Sequence, residues 1–221
     1  MKKILFITAV LSFSLFKASS QVKFGFNAGI SVSNAVSKDK EENKTESYDP
    51  MTGLNIGVVA AVPVGKNFSF APGLNFVQKG AKETDSYESL GGETITINWS
   101  GRLNCLELQL PILYNTNGEK GNFFLGAGPT LSYAISGRSK LNVTGEAPEN
   151  RKVNFGNSDE DDLRPFDVGA NVLVGYMMKN GFFVSANYNM GLLNLTPGED
   201  AKDYSNRFDY YSLKIGWMIG K

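Results

Sequence analysis

The chain has no histidine and a single cysteine among its 221 residues. Without histidine there is no Ser-His-Asp or Cys-His nucleophile and the commonest metal ligand is missing. One cysteine, Cys105, excludes an intramolecular disulfide, and its place in a strand-like segment fits a small apolar side chain. Formal net charge is zero, with 22 basic and 22 acidic residues and no basic stripe, so nucleic acid is not an expected partner. No stretch after the N-terminus approaches 18 consecutive apolar residues, which excludes a transmembrane helix there.

What the chain does have is glycine (24 residues), aromatic residues (12%) and an alternation of period two. The N-terminus comes first. Met1-Lys2-Lys3 is basic, Ile4 to Phe16 is apolar, and Ala18-Ser19-Ser20 supplies small residues for cleavage. This order predicts a cleavable signal peptide over 1–20 and a mature domain over 21–221, about 200 residues and enough for one domain.

From Val22 to Ser33 every even position is apolar, from Val22, Phe24 and Phe26 to Ala28, Ile30 and Val32, while the odd positions are polar or glycine. Successive side chains on a strand point to opposite faces, so this is a strand with one apolar and one polar face. The same pattern returns at 54–64, 68–76, 103–114, 123–135, 166–176, 182–192 and 211–219, giving eight strands. Segment 94–114 carries two registers: Ile95, Ile97 and Trp99 are apolar at odd positions, whereas Leu106, Leu108 and Leu110 are apolar at even ones. A bulge near Gly101-Arg102 or a separate loop hairpin accounts for this, and the hairpin is preferred, with the spanning strand beginning at about Leu103.

The connections alternate. Polar segments near 34–50, 80–102, 136–164 and 196–207 are long, and the turns at 65–67, 115–121 and 179–181 are short. An even strand number with alternating long and short connections is the pattern of an outer-membrane barrel with short periplasmic turns and long extracellular loops. Eleven or twelve residues at about 3.3 Å each, tilted about 45°, match an apolar band about 25 Å tall. The expected fold is therefore all-β, an eight-stranded antiparallel up-and-down transmembrane barrel with both termini periplasmic. Aromatic residues near strand ends (Phe68, Tyr114, Phe123, Tyr176, Phe182, Tyr188, Tyr211, Trp217) fit interfacial girdles. A soluble lipocalin-like carrier has the same strand count with the faces reversed. The Gly, Asn and Ser of the polar face suit a crowded lumen better than a solvated exterior.

Several segments resemble the PorT-like outer-membrane β-barrel family, common in Bacteroidota. They are FGFNAGISVS, GLNIGVVAAVPVGKNFSFAPGLNFVQKG, LELQLPILY, FFLGAGPTLSY and DVGANVLVGYMMKNGFFVSANYNMGLLNL, spread over nearly all of the mature chain. The resemblance implies an integral protein of the bacterial outer membrane and hints at type IX secretion. It implies no shared chemistry. The C-terminal Gly220-Lys221 departs from the aromatic residue common at barrel C-termini, leaving Trp217 and Ile219 as the assembly signal.

Four charges fall on the polar face: Lys23, Glu107, Asp167 and Lys214. In a narrow lumen they are expected to pair as a structural plug, because an unpaired buried charge is costly and small barrels are filled by side chains. The acidic run Asp159 to Asp162, with Glu146, Glu149 and Asn157 nearby, is oxygen-rich but lacks the calcium-loop spacing, and reads as solvated loop. The glycines of GEKGNFFLGAGP lie in a strand with no helix after them, so they are read as packing positions and not as a phosphate loop. No cofactor is expected. The partners expected are outer-membrane lipid, the barrel-assembly machinery during insertion, and an envelope or secretion-system protein. The reading is a non-enzymatic barrel acting in a structural, binding or secretion-accessory role through its long loops; the alternatives are an outer-membrane enzyme acting on lipid or peptide, and the soluble carrier.

Overall fold

A computed structural model describes residues 22–88 and 91–219. The proposed signal segment 1–20, Gln21 and the terminal Gly220-Lys221 lie outside the described residues.

The described chain forms twelve strands and one short 3-10 helix, Glu199–Lys202. The strands are β1 (Lys23–Asp39), β2 (Lys44–Ser47), β3 (Asp49–Pro63), β4 (Phe68–Phe70), β5 (Gly73–Glu88), β6 (Thr94–Gln109), β7 (Ile112–Asn115), β8 (Gly121–Val143), β9 (Glu149–Lys152), β10 (Phe166–Met178), β11 (Phe182–Gly191) and β12 (Tyr204–Ile219). Eight of them close a ring, β1-β3-β5-β6-β8-β10-β11-β12, every pair antiparallel and β12 returning to β1. Closure removes the open edges that a sheet otherwise exposes.

The four remaining strands explain the difference from a plain count of eight. β4 and β7 are the short-turn ends of the β5 and β6 staves, cut off at Pro72 and Pro111, which lack an N–H for the ladder. Backbone bonds still cross the gap: Ala71 N–H donates to Pro111 O at 3.0 Å and Ala60 N–H to Pro72 O at 2.9 Å. β2 and β9 are additions at the opposite end, paired with the outer parts of β1 and β8.

The large correction to the sequence reading concerns the segments expected as loops. β5 runs on to Glu88 and β6 begins at Thr94, so most of the polar stretch 80–102 is one continuous hairpin in unbroken register, from Gly73↔Gln109 to Glu88↔Thr94. Neither a bulge near Gly101 nor a separate loop hairpin divides β6. β1 likewise extends to Asp39 and β8 to Val143. The bulge lies on the partner strand: the β6–β8 register shifts between Asn104 and Cys105, and Ile135 and Ser136 of β8 both face outward there. A second shift, between Pro50 and Asn55 of β3, opens the β3–β5 ladder. Side chains close it: Ser31 Oγ donates to Gln78 O at 2.7 Å, and Gly80 N–H donates to Ser33 Oγ at 2.6 Å.

The outer surface between the girdles is apolar. Phe24 (63% exposed), Phe26, Ile30, Leu54, Val58, Leu74, Leu125, Val172 and Leu213 all face out. Their pleat partners Asn27, Ser31, Asn55, Asn75, Asn171 and Ser212 are buried inside. This is the reverse of a lipocalin-type barrel, whose interior is the apolar side. At the short-turn end three ring pairs cross between neighbouring strands: Phe68–Tyr114 at 5.4 Å, Phe123–Tyr176 at 4.8 Å and Phe182–Trp217 at 6.3 Å between centroids. Tyr188 and Tyr211 stack at 4.7 Å further up. On β8, Phe123 and Tyr133 are ten positions apart, about 33 Å of strand and about 23 Å of height at a 45° tilt, the thickness of the apolar band.

Candidate functional site: the filled lumen and the looped rim

The interior has three layers. The middle one is polar and centres on Glu107, which is fully buried on β6. Lys79 Nζ of β5 stands 2.9 Å from Glu107 Oε2 and donates to Ser132 Oγ at 3.2 Å. Tyr210 of β12, also fully buried, donates its hydroxyl to Glu107 Oε1. Gln109 Nε2 donates to the same carboxylate oxygen at 2.9 Å and reaches Tyr210 Oη at 3.1 Å. The Lys79 ammonium lies 5.2 Å from the centroid of the Tyr210 ring. Glu107 thus has its charge matched by Lys79 at Oε2 and two hydrogen bonds at Oε1, which offsets the cost of a charge in a dry site.

The charges singled out in the sequence occupy different places. Glu107 is the hub. Lys214 is buried on β12 and reaches the network through Gln109 Oε1 at 3.4 Å. Asp167 is buried on β10, apart from the Glu107 hydrogen-bond network, with its Oδ1 unpartnered. Lys23 is only partly buried and lines the mouth of the cavity described below. Lys79, Gln109 and Tyr210 were absent from the sequence set. Parity could have found them, since Lys79 shares the inward face with Asn75 and Val77, and Tyr210 shares it with Ser212 and Lys214.

Above the polar layer sits an apolar cap. Ala35, Ala81, Leu103, Cys105, Ala134, Leu195 and Phe208 pack together, and Tyr48, Trp99, Val153, Phe155 and Leu163 cover them. Cys105 is buried within this cluster. Below the polar layer is an apolar collar of Phe124, Leu173, Phe183 and Met218, with Val59, Ala61, Leu113 and Met177 against it. Gly175 and Gly216 make room for it: a Cβ on either would come within 2.2 Å of Phe124 Cζ or 2.3 Å of Phe183 Cζ. A cavity of about 280 Å³ opens at the short-turn end and reaches through the collar to Lys214.

At the long-loop rim the acidic run is consumed in holding loops together. Asp159 Oδ1 accepts the Glu199 N–H at 2.6 Å, joining two loops. Asp162 accepts from Arg151 Nη1 at 2.8 Å and from the Asn154 N–H at 2.8 Å. Asp161 accepts from the Ser158 N–H at 2.9 Å and its hydroxyl at 2.5 Å, which holds the Asp161 carboxyl below the usual range. Lys40 Nζ donates to Ala201 O at 2.5 Å, and Arg164 N–H to Leu195 O at 2.9 Å. No cluster of three or more metal-ligating side chains occurs among the described residues.

A closed antiparallel ring that is apolar outside, with a polar layer in the middle of its lumen, is built to sit in lipid, and its long loops and short turns segregate to opposite ends, as in outer-membrane barrels. A family model, the outer membrane protein beta-barrel domain, matches residues 13–196. The chain belongs to this family of bacterial outer-membrane barrels. Among solved structures it is similar to Ail, the attachment invasion locus protein of Yersinia pestis (12% identity, TM-score 0.38, covering 89% of this chain and 98% of that one). It is also similar to the N-terminal β-barrel domain of OprF from Pseudomonas aeruginosa (9% identity, TM-score 0.35, covering 86% and 97%) and to the outer membrane protease OmpT from Escherichia coli (10% identity, TM-score 0.39, covering 93% and 99%). No curated protein matches the chain.

Proposed function

We propose that this chain is an integral outer-membrane barrel whose eight ring strands cross the bilayer, with its short turns and termini in the periplasm and its long loops outside the cell. Its role is non-enzymatic: it presents the looped rim to an envelope or secretion-system protein, after insertion by the barrel-assembly machinery. The observation that carries this reading is the division of labour between lumen and rim. The lumen is closed by the apolar cap and the Glu107 network, so the barrel offers no passage. The rim is a fixed surface, because Asp159, Lys40 and Arg164 tie separate loops to one another. Likeness to PorT-like segments supports the secretion-accessory version of the role.

The test combines extraction and conductance. The protein, expressed from the full sequence, is expected to leave membranes only in detergent, to shift in gel mobility on heating, and to give no conductance in planar bilayers. Partition of the folded protein into the soluble periplasmic fraction overturns the membrane reading. Stable single-channel currents overturn the closed lumen.

A further inference from the structure

The cavity below the network has a composition that the structural role of the lumen does not explain. Its wall near the short-turn mouth is apolar, formed by Val59, Leu113, Phe124, Leu173, Phe183 and Met218. Its inner end is polar and holds Lys214, 6% exposed. That ammonium has no carboxylate partner among the described residues, and its one hydrogen-bond acceptor, Gln109 Oε1, is 3.4 Å away. Glu107 attracts it only at longer range, its oxygens being taken up by Lys79, Tyr210 and Gln109. Asn27 and Asn75, both buried and lining the same inner end, each have a side-chain oxygen without a partner. Each of these amides also carries an NH2 group, a donor that an anionic head can accept from.

A buried cation and two idle amides at the bottom of an apolar funnel form a recognisable ligand site: apolar walls with a few convergent polar groups. The charge selects the ligand. Lys214 at the bottom and Lys23 at the mouth disfavour a cation, and a neutral molecule leaves the Lys214 charge unmatched. The size selects it further, since 280 Å³ holds about nine groups of the size of a water molecule at about 30 Å³ each.

We propose that this cavity binds a small amphipathic anion, a carboxylate or phosphate head on a short acyl or alkyl chain. The head meets Lys214, Asn27 and Asn75, and the chain lies in the collar against Phe183 and Met218. The membrane-spanning reading sets only the side of access, the periplasm.

Octanoate is the probe, with the full barrel held in lipid nanodiscs to keep detergent out of the cavity. Isothermal titration and carboxyl-¹³C spectra are expected to show saturable one-to-one binding. Lys214→Gln is expected to weaken it about tenfold or more, the worth of a charge-assisted contact. Ala61→Trp, which fills the collar and leaves the lysine in place, is expected to abolish it. Heat-dependent gel mobility verifies that each variant is folded. Octyl phosphate distinguishes the two head groups, and tighter binding of either over octanol supports the site. Uptake equal to that of empty nanodiscs overturns the proposal, as does equal binding of octanol or binding unchanged in both variants. Membrane extraction is scored separately, so loss of octanoate binding leaves the barrel reading standing.

Discussion

The two halves of β6 share one unbroken register against β5 and carry opposite polarity. In the lower half Leu106 and Leu108 face out and Glu107 and Gln109 face in. In the upper half Arg102 and Asn98 face out, while Trp99, Leu103 and Cys105 turn inward into the cap. The strand does not change; its surroundings do. Just below Cys105 the outer face is apolar, as lipid requires, and the lumen at that level is polar. Above it the outside is water, so the hydrophobic effect sends the apolar side chains inward. The barrel is two structures on one set of staves, a membrane barrel and a soluble β-turret with its own core.

Unmatching the lower core is the most damaging change. Glu107→Leu leaves Lys79 buried without its counter-charge and is expected to cost about 3–5 kcal/mol. The double variant Lys79→Met, Glu107→Leu is expected to recover most of this, read from urea midpoints in lipid vesicles. A double variant no more stable than the single one would show that the ion pair is not what holds the layer.

Two outward substitutions on β6 probe the halves directly. Leu108→Arg, opposite Leu131 and below the Tyr133 level, places a charge in lipid and is expected to cost about 1–3 kcal/mol, between the interfacial and midplane values. Arg102→Leu, six positions up in water, is expected to stay within about 0.5 kcal/mol. Equal costs would break the distinction.

The sequence showed the staves because period two survives in lipid, from Phe24 and Phe26 on β1 to Leu213 and Ile215 on β12. It hid the turret because reversal of polarity on one strand looks like a register slip. Ile97 and Trp99 read as a second strand when they were the inward face of the same one. For the same reason Lys79 was passed over at the edge of a segment read as loop. Glu107 and Lys214 were legible as inward charges, but their partners were not: Lys79 lies 28 positions from Glu107 on the other arm of a hairpin that the sequence reading had cut short, and Tyr210 lies 103 away on β12, where only ring closure brings it near.

Smaller effects follow at the two ends. Gly216→Val drives a side chain into Phe183 and the Phe26 carbonyl and is expected to cost about 1–3 kcal/mol by overpacking the collar. The cost should shrink when Phe183 is trimmed to Leu in the same chain. At the rim, Asp161 is held below its ordinary pKa by Ser158, so its contribution is present near neutral pH and is lost as pH falls through the depressed value. Proteolytic nicking within residues 154–162 of the folded protein, scored with an acid-active protease, is expected to rise over that window. Asp161→Asn should flatten the rise. An unchanged profile would mean that the Ser158 contact does not hold this turn.

The central claim is that the lipid boundary falls on β6 between Arg102 and Leu106. It is tested most directly by single cysteines at 98, 100, 102, 106 and 108 in a Cys105→Ala background, labelled with a fluorophore in bilayers. Labels at 106 and 108 are expected to be quenched by lipid-borne quenchers and shielded from iodide, and labels at 98, 100 and 102 to show the reverse. Quenching of all five by the same phase would contradict the account.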